Sequence, residues 1–137
     1  MNKVRGIVAG FIGTITISIL MLIKVKLNFM INLDVIHMLT LKTGGSPTIG
    51  LFSHFIIGTV GYGIYFSFII PFISDKKIII QGIILGFIAW LTMMLAMPIL
   101  GHSFFIMDMG FMAQILTLLF HLIFGMVFII VYIKLED

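Results

Sequence analysis

The sequence predicts an all-α membrane protein of four transmembrane helices, arranged as a tandem parallel repeat of two-helix units. Three observations lead there. Hydrophobic residues fill 61% of the 137 positions and charged residues only 9%, against about 25% charged in soluble domains. Four apolar stretches each approach the roughly 20 residues that an α-helix needs to cross a hydrocarbon core. Finally, the chain repeats itself. Gly6-Ile-Val-Ala-Gly10-Phe-Ile, followed by Thr16, returns as Gly82-Ile-Ile-Leu-Gly86-Phe-Ile, followed by Thr92, and His54-Phe-Ile-Ile-Gly58-Thr-Val, ending at Tyr65, returns as His121-Leu-Ile-Phe-Gly125-Met-Val, ending at Tyr132.

The first span is expected over Gly6–Ile23. It follows Lys3 and Arg5 as a signal sequence would, but it is long enough to span and no small-x-small cleavage site precedes Lys24, so it reads as a retained helix. The connection Lys24–Gly50 is long and closes on the turn signal Thr43-Gly-Gly-Ser-Pro47. Apolar residues at helical spacing over Phe29–Leu41 predict a short interfacial helix there. Spans two and three, Leu51–Ile73 and Ile78–Leu100, flank the tight turn Asp75-Lys76-Lys77, and a Met-, Phe- and His-rich connection, Gly101–Gly110, leads to the fourth span, Phe111–Ile133. Pro71 and Pro98 fall near span ends, where a missing backbone hydrogen bond costs least.

An even number of spans puts both termini on one side. Lys3, Arg5, Lys76, Lys77 and Lys134 would share it, against Lys24, Lys26 and Lys42 opposite. That bias predicts cytoplasmic termini in a bacterial inner membrane, with the first and third connections outside. The net charge of +3 sits at segment ends, so it argues for orientation and gives no reason to expect nucleic acid. The absence of cysteine excludes disulfides, Fe–S clusters and thiolate metal sites.

Aligning Arg5–Leu22 with Gln81–Pro98 gives seven identities in eighteen positions, and His54–Tyr65 with His121–Tyr132 gives five in twelve. The chain therefore divides into residues 1–74 and 75–137 within a single domain, related by a pseudo-two-fold axis along the membrane normal. Gly6, Gly10 and Gly13, with Gly82 and Gly86 as counterparts, form small-residue stripes of the kind that let membrane helices pack closely.

His54 and His121 are the residues that stand out chemically. Each has a glycine one turn on along its own face, Gly58 and Gly125, and each follows a second histidine, His37 and His102, in the preceding connection. Three roles remain open. The imidazoles can serve as polar contacts between helices. They can be axial ligands of haem b, with Gly58 and Gly125 making room for the macrocycle. They can also contribute to a transition-metal site with His37 and His102, beside which Met107, Asp108, Met109 and Met112 offer further donors; thioether with imidazole suits copper, and carboxylate with imidazole suits zinc or iron. Met21, Met93, Met94 and Met97 lie within spans and read as packing.

No Asp, Glu or Arg interrupts a predicted span, unlike most ion-coupled transporters. No phosphate-binding loop or nucleophile elbow is present, and Gly61-Tyr-Gly63 lies within a span. An enzyme acting alone is therefore not expected.

Gly10, His54, Gly58, Gly86, Met97-Pro98, His121 and Gly125, spread over nearly the whole chain, resemble the pattern of small four-helix bacterial inner-membrane proteins of uncharacterised function. The resemblance implies the fold and brings no activity with it. From the residues themselves, the expected function is a non-enzymatic accessory or assembly subunit of a membrane complex. It would sit among membrane-protein partners or copies of itself, with outer-side histidines binding haem b or a metal. The alternative is a small channel or transporter with a His-lined outer vestibule.

Overall fold

Among residues 2–136, which a computed structural model describes, four helices are long and apolar enough to cross a bilayer: Lys3–Lys26, Pro47–Ile73, Ile78–Leu100 and Phe111–Lys134. The chain is an all-α, multi-pass membrane protein. Each span extends the expected limits by a few residues or matches them, because helical hydrogen bonding continues past the apolar stretch into the flanking polar residues.

Helix α1 (Lys3–Lys26) starts at Asn2, whose side-chain oxygen accepts from the backbone N–H groups of Val4 and Arg5 at 3.1 and 3.2 Å. Such a cap satisfies donors that a helix start leaves without partners. At its other end Lys24 turns back and is only 4% exposed. Its ammonium donates to the carbonyls of Met30, at 2.8 Å, and Leu33. It thereby pins a loop that needs left-handed backbone at Asn28 and Met30. Lys24→Met should leave both carbonyls without this donor, costing about 2 kcal/mol. Hydrogen exchange localised to residues 27–34 would report it, and unchanged protection there would show that the ammonium does not hold the loop.

Helix α2 (Val35–Lys42) lies in the first connection, capped by Asp34, whose carboxylate accepts from the His37 N–H at 3.0 Å. It packs on α3 (Pro47–Ile56), where Gly50 admits the Thr40 side chain and the Ile36 carbonyl. The second span does not run as one α-helix. Between α3 and α4 (Tyr62–Ile73), residues Ile57–Gly61 form a π-helical turn, with one more residue than an α-turn would hold. The third span is α5 (Ile78–Ala96), tightening into a 3₁₀ turn at Met97–Leu100 where Pro98 enters. A second 3₁₀ segment, Phe104–Met109, folds the third connection over the bundle end and leads into α6 (Phe111–Lys134).

Helix α1 packs against the π-turn and α4 on one side and α6 on the other, and α5 packs against α6; α4 and α5 touch only lightly. One core centres on Phe66, Phe124 and Phe128 with Ala9, Leu85 and Ala89, the Phe66 and Phe128 rings meeting edge to face at 5.0 Å. A second core, Leu33, Met38, Met94, Met97, Ile106 and Ala113, lies beneath the two longer connections.

Glycine sets the spacing of both tight helix pairs. A Cβ on Gly10 would lie 2.6 Å from the Gly58 carbonyl oxygen, and Gly6 meets Gly63 and Ser67. In the other pair, a Cβ on Gly86 would lie 2.6 Å from Leu122 Cα, and one on Gly82 would lie 3.0 Å from Met126 Cα. Four residues on α1 (6 to 10) thus face five on the second span (58 to 63). The extra residue of the π-turn accounts for the difference. In an uninterrupted α-helix, Gly58 and Gly63 would point about 140° apart.

Candidate functional site

Between the second and third spans lies a cavity of about 630 Å³ whose wall includes both His54 and His121. It occupies the space left where α4 and α5 fail to pack. His54, Gly58 and Tyr62, spaced by four along the second span, lie on this wall together, and Ala96 and Met97 line it from the third span. Leu33, Val35 and Leu39, from the first connection, close it at the end of the bundle. Its sides are not closed. Ile57 (46% exposed), Tyr65 (45%) and Ile99 (75%) are wall residues that also face outward, so the opening is lateral, at the depth of the apolar spans. No Asp, Glu, Lys or Arg is on the wall among the described residues.

The polar groups of this wall are largely committed to backbone. Thr14 donates to Gly10 O at 2.7 Å, Thr92 to Ile88 O at 2.8 Å, and Tyr62 to Ala89 O at 3.0 Å across the narrow contact with α5. Thr117 donates to Ala113 O at 2.9 Å and accepts from the Trp90 indole N–H at 3.2 Å. These bonds satisfy hydroxyls that lipid could not.

The imidazoles keep free electron pairs. His121 Nδ1 lies 2.7 Å from the Thr117 carbonyl oxygen, which can only accept, so Nδ1 carries the proton and a neutral ring leaves Nε2 bare. His54 Nε2 lies 3.4 Å from Ser18 Oγ, whose own proton goes to Thr14 O at 2.8 Å. Nε2 is then the donor, and Nδ1 keeps its lone pair. With no carboxylate on the wall, the neutral imidazole is the form the cavity accommodates.

Gly58 and Gly125 are taken up by helix packing. Thr14 fills the space beside Gly58, and a Cβ on Gly125 would lie 2.7 Å from Gly86 Cα. Gly125 is not on the cavity wall, whereas Gly58 is. The four histidines do not converge. Among the described residues no group of three or more His, Asp or Glu side chains is placed to hold a metal ion. His37 is exposed on α2, away from the cavity wall. His102 belongs to a separate polar cluster in the third connection. Met107 and Met112 are exposed, and Met109 packs against the second core.

In that cluster His102 Nδ1 lies 2.7 Å from Asp108 Oδ2, and Ser103 donates to Oδ1 through its hydroxyl at 2.8 Å and its N–H at 3.2 Å. The bonds from His102 and Ser103 hold the Asp108 carboxyl down at about 2. They clasp a loop in which Phe105 and Ile106 take left-handed backbone so that Ile106 can enter the second core. A carboxyl lowered on folding adds stability that is complete above its unfolded value, near 4, and is lost as pH falls from there through about 2. Protection of residues 101–110 against hydrogen exchange, taken relative to the intrinsic rate at each pH, should therefore fall between about pH 4 and 2, and Asp108→Asn should show the lower protection already at neutral pH. A flat profile in both proteins would dismiss the clasp.

The histidine pair was legible as a repeat. Tyr62 and Thr117, on the same wall, and Trp90, which donates to Thr117, carried no signal beyond ordinary membrane polar residues, and only their partners distinguish them. In comparisons with known proteins, the model of a family described as "Family of unknown function (DUF6789)" matches residues 1–137. No curated protein and no solved structure matches.

Proposed function

From a chain that belongs to that family of unknown function, DUF6789, we propose a role drawn from its own geometry. The protein is a non-enzymatic accessory or assembly subunit of a bacterial inner-membrane complex, and it holds a lipid-soluble group between His54 and His121. What supports this is the lateral cavity, walled almost entirely by carbon and carrying two imidazoles with uncommitted nitrogens. Such nitrogens give electron pairs, so the group is one that takes them: the iron of haem b, a copper or zinc ion, or a hydrogen-bond donor. The Thr117 carbonyl fixes the His121 ring as the outer partner of a ligating histidine does.

In this role the two halves, 1–74 and 75–137, are duplicated units inserted from the same side, with both termini cytoplasmic and α2 at the outer interface. The glycine contacts of α1 with the second span and of α5 with α6 favour the duplication. The exposed apolar faces of the four spans meet lipid, neighbouring subunits or a second copy. A channel or transporter with an outer His-lined vestibule is favoured less, since Leu33, Val35 and Leu39 cover the cavity from the loop side and its wall carries no charge.

The test is extraction of protein purified in lipid nanodiscs, with mass spectrometry and a visible spectrum of the extract. About one equivalent of a lipid-soluble molecule should accompany the protein and be lost in Ala96→Phe, which fills the cavity from the third span. A Soret band lost in both His54→Ala and His121→Ala would identify that molecule as haem b. Bulk phospholipid alone, in both the parent protein and Ala96→Phe, would reject the role.

A further inference from the structure

The chemistry of the wall selects among the groups that take an electron pair. Among the described residues, a metal ion finds no third His, Asp or Glu side chain beside the histidines. A haem would bring two carboxylates, and no Lys or Arg on the wall meets them. Packed helices already fill the space beside Gly58 and Gly125.

What remains is a hydrogen-bond donor on an apolar body. The protons of Thr14, Tyr62, Thr92 and Thr117 are bound to backbone carbonyls, so deep in the cavity the uncommitted polar atoms are lone pairs on His54 and His121. Away from the Tyr65 hydroxyl at the opening, such a site accepts and does not donate. It favours a ligand bearing O–H groups over the same ligand bearing carbonyls, which would face lone pairs with lone pairs. A dry apolar space of this size is poorly served by water, which needs two to four polar partners per molecule. The opening past Ile57, Tyr65 and Ile99 lies at the depth of acyl chains, so a long hydrocarbon tail can leave through it.

Resting on the cavity role above, we propose that the occupant is a hydroxyl-headed lipid. It enters sideways between the second and third spans and donates its hydroxyls to His54 Nδ1 and His121 Nε2, with its tail in the bilayer.

A redox pair with one skeleton tests this directly: decyl-substituted benzoquinone and its hydroquinone, partitioned into nanodiscs with and without the protein. The hydroquinone should bind at least tenfold more tightly than the quinone. His54→Phe and His121→Phe, which keep the wall filled and remove the acceptors, should each erase that preference, and Ala96→Phe should abolish binding of both forms. Hexadecanol as competitor separates the sources. Displacement of the hydroquinone by it identifies a simple lipid alcohol as sufficient, and failure to displace identifies the ring hydroxyls as what is read. Folding of each variant is checked by circular dichroism and gel filtration. Equal binding of quinone and hydroquinone, abolished by Ala96→Phe, would overturn the hydroxyl-headed ligand and leave the cavity role standing. A Soret band in the purified protein, lost in the two histidine variants, would do the same. No binding by any probe, together with no co-purified lipid-soluble molecule, would overturn both.

Discussion

Gly125→Val is expected to keep the third and fourth spans from closing, with loss of most folded protein. Gly125 is buried against the Gly82 carbonyl and the Gly86 backbone, and a Cβ there would sit 2.7 Å from Gly86 Cα. These are main-chain atoms, so no rotamer change can make room; the helices must separate. Separation removes the packing that holds membrane helices together where lipid supplies little hydrophobic drive. Over-packing at such a site costs about 3 kcal/mol or more, enough to empty the folded state of a marginal bundle. Titration of the protein from mild detergent into SDS, monitored by circular dichroism and gel filtration, measures it. Gly61→Ala provides the contrast. A Cβ at Gly61 would meet only the Ile56 carbonyl oxygen, at 3.9 Å, and its cost should fall below about 0.5 kcal/mol. Equal behaviour of the two variants would remove the special role given to the glycine contact.

Inserting one alanine between Ile56 and Ile57 should have the next largest effect, directed at the site more than at the fold. The π-turn already holds one residue more than an α-turn, so a further residue is not absorbed there. The part of the span before the insertion then rotates by about 100° relative to the part after it. If Gly58, Gly63, Ser67 and Phe66 hold their places in the core, His54 swings away from Ser18 and from the cavity wall. Stability should fall by about 1–3 kcal/mol, and retention of the cavity ligand should fall at least tenfold while helix content stays near that of the parent. Deleting Val60 provides the contrast: the step from Gly58 to Gly63 becomes four residues of regular helix, about 40° apart, so both glycine contacts and the ligand should be kept. Undiminished ligand binding in the insertion protein would show that the phase of the second span is not what places His54.

Composition and hydropathy sufficed for the four spans, since a bilayer allows few ways to satisfy a backbone and a long apolar stretch selects one of them. The glycine pattern was legible for the same reason: Gly6, Gly10, Gly82 and Gly86 all sit at close helix contacts. The π-turn was not. Residues Ile57–Gly61 read as regular helix, and the extra residue sits where α1 comes close, with Gly10 against Gly58 and Thr59. Nor could spacing tell which face of Gly125 would be occupied. A glycine one turn from a histidine suits a flat cofactor or a neighbouring helix equally, and here α5 lies against it. The split between His102 and His121 has a similar origin. Asp108 lies six residues from His102 and captures its ring, a choice made by a loop conformation with two left-handed residues that no periodicity encodes.

The contact between α1 and α6 also bears on how the molecule is made. Gly13 lies against the Phe124 ring, and the Asn2 N–H reaches the Tyr132 hydroxyl at 3.1 Å. Of the four spans described, the one synthesised earliest thus finishes its packing on the one synthesised latest. At about 5–20 residues per second, roughly 5–20 s of synthesis separate the two. During that interval the face of α1 meant for α6 lies against lipid or against whatever escorts nascent membrane helices. Slowing translation ahead of residue 111 should lengthen this exposure and increase degradation of the half-made chain.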